Sequence, residues 1–289
     1  MFNKADELLR LCNENSKKIS EIVIEKEMKS TDISHDELMN RMKDTLTVMK
    51  SSANSALDKE IKSVSGLTGG DSKKVEDYKN SGNTLTGGII VSAMAKALST
   101  SEINASMGRI VAAPTAGASG ILPSALLSAQ EKLKLTDEQI IMGLFTAAGI
   151  GEIVAKNATV SGAEGGCQAE CGTAAAMAAA AIVEMAGGTP EASFNAASFA
   201  LVNIMGLVCD PIGGLVEYPC ALRNASGVVN ALISADLALA GVESLVPFDE
   251  VVEAMYKVGK LLPESLRETA LGGVATTPTG EILRKKLQH

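Results

Sequence analysis

Aromatic side chains are nearly absent from this chain of 289 residues: they make up 3% of it, and tryptophan does not occur. Hydrophobic residues still reach 46%, so the chain can bury a sizeable core, which must be built from small and flexible aliphatic groups. This composition excludes an intrinsically disordered chain, because disorder requires low hydrophobicity together with high net charge. The length predicts one large domain or two smaller ones.

Basic residues are also fewer than acidic ones. The chain has 26 Lys and Arg against 34 Asp and Glu, a net charge of −8. We find neither a basic patch nor a series of aromatic residues for stacking on bases, so we expect no nucleic-acid partner. The N-terminus is charged from Lys4 onward and has no apolar leader segment, which favours a cytoplasmic protein.

Two segments that lack charge, 110–130 and 192–209, approach the roughly 20 residues that span a bilayer. The first contains two prolines and the second contains two asparagines. We interpret both as buried parts of a globular protein and expect no membrane association.

The fold class follows from hydrophobic periodicity. Alternation of apolar and polar residues with period two is hardly seen, so we predict an all-α fold, or nearly so. Ser34 and Glu37 form a capping-box pattern, and the apolar residues that follow at helical spacing are Leu38, Met42, Leu46 and Met49. We predict an amphipathic helical arm over 1–60, packed on a helical catalytic domain over 61–289.

Helix starts can also be read in the second part of the chain. Thr136 with Gln139 forms another capping box, and Thr189 before Pro190 is a cap followed by proline at the first helical position. Residues 174–183 are nearly all Ala and Met, which predicts a central helix approached closely by its neighbours.

The five cysteines are Cys12, Cys167, Cys171, Cys209 and Cys220. An odd number argues against a disulfide framework. The last four lie in glycine-rich segments, which we expect to form turns rather than helix interiors, and this placement suits metal ligation. A set of small buried hydrophobic side chains remains the alternative. Zinc is less favoured than an iron–sulfur cluster, because no C-x-x-C pair and no nearby histidine are present.

Four motifs carry a family resemblance: GCQAECG at 166–172, GLVCDPIGGLVEYPC at 206–220, NASMGRIVAAPTAGASGILP at 104–123 and TALGGVATTPTG at 269–280. They resemble the α chain of the iron–sulfur-dependent L-serine dehydratases, and the similarity runs over most of 61–289. The resemblance implies a mostly helical chain with a 4Fe-4S cluster on Cys167, Cys209 and Cys220. One iron would be open to substrate and Cys171 would be spare, although spacing alone does not exclude Cys171 as a fourth ligand.

The implied reaction converts L-serine to pyruvate and ammonia, by loss of the Cα proton and of the β-hydroxyl. Hydroxide is a poor leaving group, and an open iron would act as a Lewis acid on it. The implied reaction therefore depends on ligation by only three cysteines, because a fourth cysteine ligand would occupy the iron that must bind the substrate.

Residues for the substrate carboxylate and ammonium are sought in two glycine-rich loops. Asp71 is predicted to cap a helix, with free amides beside it for a carboxylate. The candidate substrate-binding residues are Thr68, Gly69, Gly70, Asn104, Thr115 and Ser119, with Arg109 as a further candidate or an ion-pair partner. Ordinary caps and turns are the alternative interpretation of both loops.

The general base is not evident from the sequence. Ser65 and Lys73 are candidates, whereas His35 is expected to face solvent at a helix start and His289 is the last residue. In families of this kind, histidines lie in an additional domain or on a separate β chain. We therefore expect a β chain to form a heteromer with this chain and to complete the site.

Three rival hypotheses were weighed. Residues 81–84 resemble the Ser-Gly-Asn-Thr loop of pyridoxal-phosphate dehydratases, but a glycine run for the cofactor phosphate and an α/β sheet are missing. A cluster-dependent L-cysteine desulfidase or threonine dehydratase is a second alternative. The third is a non-catalytic iron–sulfur subunit with four cysteine ligands.

Overall fold

The computed structural model describes residues 1–287 and, over those residues, contains α-helices and short helical turns but no β-strand. The prediction of an all-α fold is confirmed. The helices are α1 (Ala5–Asn15), α2 (Ile19–Thr31), α3 (His35–Asn54), α4 (Asp71–Asn80), α5 (Gly88–Ala105), α6 (Ile121–Leu133), α7 (Asp137–Asn157), α8 (Gly162–Gly165), α9 (Thr173–Met185), α10 (Pro190–Val202), α11 (Cys220–Leu239), α12 (Phe248–Leu261) and α13 (Pro278–Lys286).

The N-terminal helices α1 to α3 share one apolar core with the rest of the chain. Leu8, Ile19 and Val23 are buried in that core, and α2 packs against α7. The predicted apolar stripe of α3 also faces inward, and Ser34 caps this helix by accepting a hydrogen bond from the amide of Glu37. The division of the chain near residue 60 stays a prediction.

Helix α9 is the centre of the molecule, with α6, α7, α10 and α11 packed around it. Every residue from Thr173 to Glu184 is buried. The small alanine side chains let the surrounding helices approach closely, which explains how a core can form with so few aromatic rings. The predicted central helix at 174–183 is confirmed.

Enlarging an alanine of α9 is expected to destabilise the protein. Ala179 is fully buried, so Ala179→Leu should lower the free energy of unfolding by about 1–3 kcal/mol through overpacking. The matched control is Ala148→Leu on the exposed side of α7. Urea unfolding followed by circular dichroism measures both, and equal midpoints for the two variants would contradict the close packing of α9.

Two of the predicted helix starts are confirmed. Thr136 and Gln139 form a reciprocal capping box at α7, and Thr189 accepts the amide of Ala192 ahead of Pro190 at α10. Helix α7 is long and apolar enough to cross a membrane, but two thirds of that stretch is buried inside the protein, as in a core helix.

The C-terminal segment returns to the middle of the chain at Cys209. The amide of Cys209 donates to the carbonyl of Leu266, and the amide of Glu268 donates to the carbonyl of Cys209. These backbone bonds place the TALGGVATTPTG motif beside the cysteine-containing loops.

Candidate active site: a buried thiol centre beside a cleft

Cysteine side chains from two distant segments come near one another in the interior. The Sγ atoms of Cys167 and Cys171 are 3.4 Å apart, and Cys209 is close enough to Cys167 to lower the pKa of Cys167. Cys220 is buried nearby at the first position of α11. All of these thiols are free and almost inaccessible to solvent. We call Cys167, Cys171, Cys209 and Cys220 the thiol centre.

The local backbone explains how the first two cysteines converge. Cys167 directly precedes a π-helical turn at Gln168–Gly172, which runs into α9 and holds Cys171 within its wide turn. Gly166 has φ +77°, and a side chain there would collide with Leu207. The expectation that these cysteines sit in turns rather than helix is therefore wrong for Cys171, because the glycine-rich segment winds into a π-helix.

The pKa values of the four thiols are shifted in opposite directions. Hydrogen bonds from Cys171 and Cys209, together with the Arg223 guanidinium, lower the pKa of Cys167 well below its usual value. The same hydrogen bonds and burial raise the pKa of Cys171 and of Cys209, and burial raises the pKa of Cys220 to about 12. Among these thiols, the surroundings therefore favour the charged form most at Cys167.

Glu170 is a functional candidate that sequence reasoning missed. The Thr115 hydroxyl donates to its Oε1 at 2.7 Å, and its Oε2 lies 4.0 Å from the Cys209 Sγ. A Cβ added to Gly117 or Gly162 would press against this carboxyl group, so both glycines make room for it. Burial raises the pKa of Glu170 to about 7. The only available signal was an acidic residue inside GCQAECG.

Arg223 is the cation of the thiol centre. Arg223 is on the first turn of α11. Its Nη2 donates to Oδ1 of Asp210 at 2.7 Å, and Asp210 directly follows Cys209 in the chain. The amide of Val274 donates to the other oxygen of Asp210 at 2.7 Å. The Nη1 of Arg223 is buried without a hydrogen-bond partner among the described residues. Asp210 therefore joins α11 through its ion pair with Arg223, and the C-terminal segment through its hydrogen bond with Val274.

A cleft of about 1010 Å³ is lined in part by the loop between Cys209 and Cys220, although none of the four cysteines of the thiol centre lines it. Ser65 and Asn104, both predicted as site residues, line it together with Glu217. Ala116 and Val216 also line the cleft, and both adjoin Gly117, which contacts Glu170. Gly117 and Glu170 therefore link this wall of the cleft to Cys209 of the thiol centre.

Glu217 is the second carboxylate that sequence reasoning missed. Its Oε1 accepts a hydrogen bond from the Ser65 hydroxyl at 2.7 Å, and its Oε2 accepts one from Thr68 at 2.8 Å. The side chain is 6% exposed. Nothing in the sequence pairs residue 217 with residues 65 and 68, since the loops meet only after folding.

The helix start at Asp71 differs from the prediction. The N-cap of α4 is Gly70, with φ 80°, and Asp71 is the first helical residue, so the assignment of Asp71 as cap is wrong. The amides of Asp71 and Ser72 both donate to Glu102 Oε1, at 2.6 and 2.9 Å. These two amides are therefore occupied by a carboxylate of the protein itself. The close approach of Gly69 to Ile61 requires glycine.

The remaining predicted substrate-binding residues divide into two groups. Thr115 donates to Glu170 beside the thiol centre, whereas Asn104 lines the cleft. Ser119 is buried and donates to the carbonyl of Ala116, as in an ordinary turn. Arg109 is exposed, and no ion pair forms to it among residues 1–287.

The structure places the candidate bases in different surroundings. Lys73 is on the outer side of α4, and its hydrogen bond to Asp77 raises the pKa of the lysine further above its usual value. A base must be able to lose its proton, so Lys73 is a poor candidate. His35 is exposed at the first position of α3, as predicted, and His289 lies outside the described residues.

No group of three His, Cys, Asp or Glu side chains within residues 1–287 has the arrangement of a single-ion metal site. The thiol centre therefore brings sulfurs together without presenting a preformed site for one ion. Cys12 is buried on α1 beside Glu184, and burial raises the pKa of Cys12 to about 12, so this thiol is a core side chain.

Comparisons with known proteins show the family of the chain. The family model described as "Serine dehydratase alpha chain" matches residues 14–275. The L-serine dehydratase alpha chain of Peptoniphilus asaccharolyticus is 53% identical over 285 residues, or 99% of this chain and 98% of that protein. A probable L-serine dehydratase alpha chain of Bacillus subtilis is 50% identical over 287 residues, or 99% and 95%. An L-serine dehydratase of Helicobacter pylori is 38% identical over 283 residues, or 96% of this chain and 62% of that protein.

The fold and the site define an all-α protein with a buried group of four thiols. The family model and the two alpha chains extend over most of its length. The chain belongs to the serine dehydratase alpha chain family, and the family resemblance of the sequence motifs is confirmed.

Proposed function

We propose that this chain is the alpha subunit of an iron–sulfur-dependent L-serine dehydratase, a lyase that forms pyruvate and ammonia from L-serine. The observation that carries the proposal is the buried group of Cys167, Cys171, Cys209 and Cys220 near a cleft lined by Ser65, Asn104 and Glu217. The alpha chains at 50–53% identity support the same substrate and reaction.

The residues of the thiol centre fit a 4Fe-4S cluster by their chemistry. Soft thiolate sulfurs are the donors that such clusters take, and the pKa of Cys167 already favours its thiolate. The free Nη1 of Arg223 is a buried donor without a partner in residues 1–287, as expected beside an anionic group. Cys167, Cys209 and Cys220 would hold the cluster, and an iron left open by three ligands supplies Lewis acidity toward the serine hydroxyl.

The chain's own residues would prepare the substrate for elimination. Hydroxyl groups of Ser65 and Thr68 hold the Glu217 carboxylate in place, and the Thr115 hydroxyl holds that of Glu170. Both carboxylates are buried, so they act in a site from which most water is excluded, where charge interacts more strongly than in water. Orientation by such fixed polar groups lowers the barrier to reaction.

A second chain is part of this proposal. The Helicobacter pylori relative is a longer protein of which this chain covers 62%, whereas the curated alpha chains are covered almost completely. We propose that a β chain supplies the missing portion, including the base, and that the heteromer is cytoplasmic.

Anaerobic reconstitution with iron and sulfide, followed by assay of pyruvate, tests the proposal directly. The expected result is a brown protein that forms pyruvate from L-serine when the β chain is present, and that is bleached by air. Parallel assays with L-cysteine and L-threonine decide between the substrates. A loaded protein with none of these activities, with and without the β chain, would remove the proposal.

Lys73 is expected to be dispensable. Because Lys73 is on the outer side of α4 and paired with Asp77, Lys73→Met should leave kcat and KM for serine within about twofold of the parent. Ser65→Ala, in the loop before α4, is the comparison, and it should lower kcat/KM by about tenfold or more, since a donor to Glu217 is lost. A loss in Lys73→Met as large as that in Ser65→Ala would restore Lys73 as the base.

A further inference from the structure

Glu217 is a buried carboxylate whose charge is not balanced by the protein. Its side chain is 6% exposed, and among residues 1–287 no Lys or Arg nitrogen lies within ion-pair distance of it. Its hydrogen-bond donors are two neutral hydroxyl groups, on Ser65 and Thr68. A buried charge without an opposite charge is costly, so this carboxylate favours any cation that reaches it.

The surroundings of Glu217 allow a ligand to do so. Glu217 lines the cleft, and Asn104 lines the same cleft with its side chain as a further polar group. The cations in the cleft wall are Arg284 and Lys286, and Arg284 is already bonded to Glu281 at 2.6 Å. A carboxylate has room for about four hydrogen bonds, so the two hydroxyl donors leave acceptor positions on Glu217 free.

Glu217 is near the cysteine loops along the chain, three residues before Cys220. Its neighbour Val216 lines the same cleft and lies near Gly117, which is beside Glu170. A small molecule bound at Glu217 would therefore lie in the part of the cleft nearest Gly117. An amino acid is small enough for this position and carries the cationic ammonium group that a buried carboxylate favours.

We infer that Glu217 is the counter-ion for the α-ammonium group of the amino-acid substrate, held in position by Ser65 and Thr68. This inference rests on the proposed function and deepens it, because it assigns the part of the substrate that Glu217 recognises. It implies selectivity: a hydroxy acid, which has a neutral hydroxyl group in place of the ammonium, loses the charge interaction and binds more weakly.

The test compares Glu217→Gln with the parent, each as the cluster-loaded complex with the β chain. Charge-assisted hydrogen bonds are worth enough that KM for L-serine should rise about 10- to 100-fold. Glycine and glycolate, which differ only in ammonium against hydroxyl, serve as competitive inhibitors. The parent should prefer glycine, and Glu217→Gln should bring the two inhibition constants within about threefold of each other.

Two variants separate recognition from a purely structural role. Thr68→Val removes one hydroxyl tie but keeps the charge, so the preference for glycine should survive. Glu281→Gln is a control for loss of a nearby carboxylate that is already paired with Arg284, and it should retain both KM and the preference. Thermal melting of each protein checks that it is folded.

The outcomes are distinct. If Glu217→Gln lowers the melting temperature or kcat but keeps the preference for glycine, Glu217 only ties the loops together and the inference is wrong. If added potassium ions stimulate the parent but not Glu217→Gln, with the glycine preference intact, the carboxylate binds a metal cation instead and the inference is wrong. If the parent complex forms no pyruvate from L-serine, the proposed function itself is lost, and the inference with it.

Discussion

Cys167→Ala, Cys209→Ala and Cys220→Ala are each expected to lose more than about a thousandfold in pyruvate formation, about 4 kcal/mol of transition-state stabilisation. Each removes a proposed cluster ligand, so the iron content after reconstitution should fall as well. Cys171→Ala is expected to keep its iron and at least about a third of the activity, because three thiolates leave an iron open for the substrate.

Iron and sulfide analysis, the visible absorption spectrum and a pyruvate assay under anaerobic conditions measure these effects. The matched control is Cys12→Ala, which removes a buried thiol far along the chain, on α1. Cys171→Ala is an informative test, because the Cys171 sulfur lies only 3.4 Å from that of Cys167, a proposed ligand. Loss of the cluster in Cys171→Ala would instead favour four cysteine ligands and a non-catalytic iron–sulfur subunit.

The cluster-loaded chain without a β chain is expected to form pyruvate at least about 100-fold more slowly than the heteromer, since a general base contributes roughly 10²–10⁴-fold. Within residues 1–287 the obvious bases are unsuitable. The pKa of Lys73 is raised by Asp77, and His35 is exposed at the start of α3.

Stopped assays with increasing amounts of the β chain measure this dependence. Activity should saturate at a fixed ratio of the two chains, and iron content should not change on mixing. If the isolated chain turns over as fast as the mixture, the base is among its own residues, and Glu170 and Glu217 would be the first to replace.

Local signals in the sequence predicted much of the helical framework. The caps at Ser34, Thr136 and Thr189 hold because each cap joins a side chain to an amide three residues away, a contact that depends on nearby residues. The run of alanine in α9 is equally local, since it reflects helix propensity together with the small volume of the side chain.

The error at Asp71 shows where local rules stop. An aspartate after two glycines is a good cap by composition, yet the α4 amides are bonded to Glu102, which is 31 residues away on α5. Once that distant carboxylate occupies the helix start, Gly70 takes the left-handed conformation and Asp71 becomes the first helical residue. Burial of Glu102 raises its pKa, a consequence of packing that no motif contains.

The sequence by itself determined the fold class, the family and the residues from which the thiol centre is built, because periodicity, capping and cysteine-bearing motifs are written in neighbouring positions. Only the tertiary structure decided the partners of the two carboxylates. Glu170 meets Thr115 across 55 residues, and Glu217 meets Ser65 across 152. Such pairings are set by helix packing around α9, and burial then gives each carboxylate an electrostatic environment that depends on the whole fold.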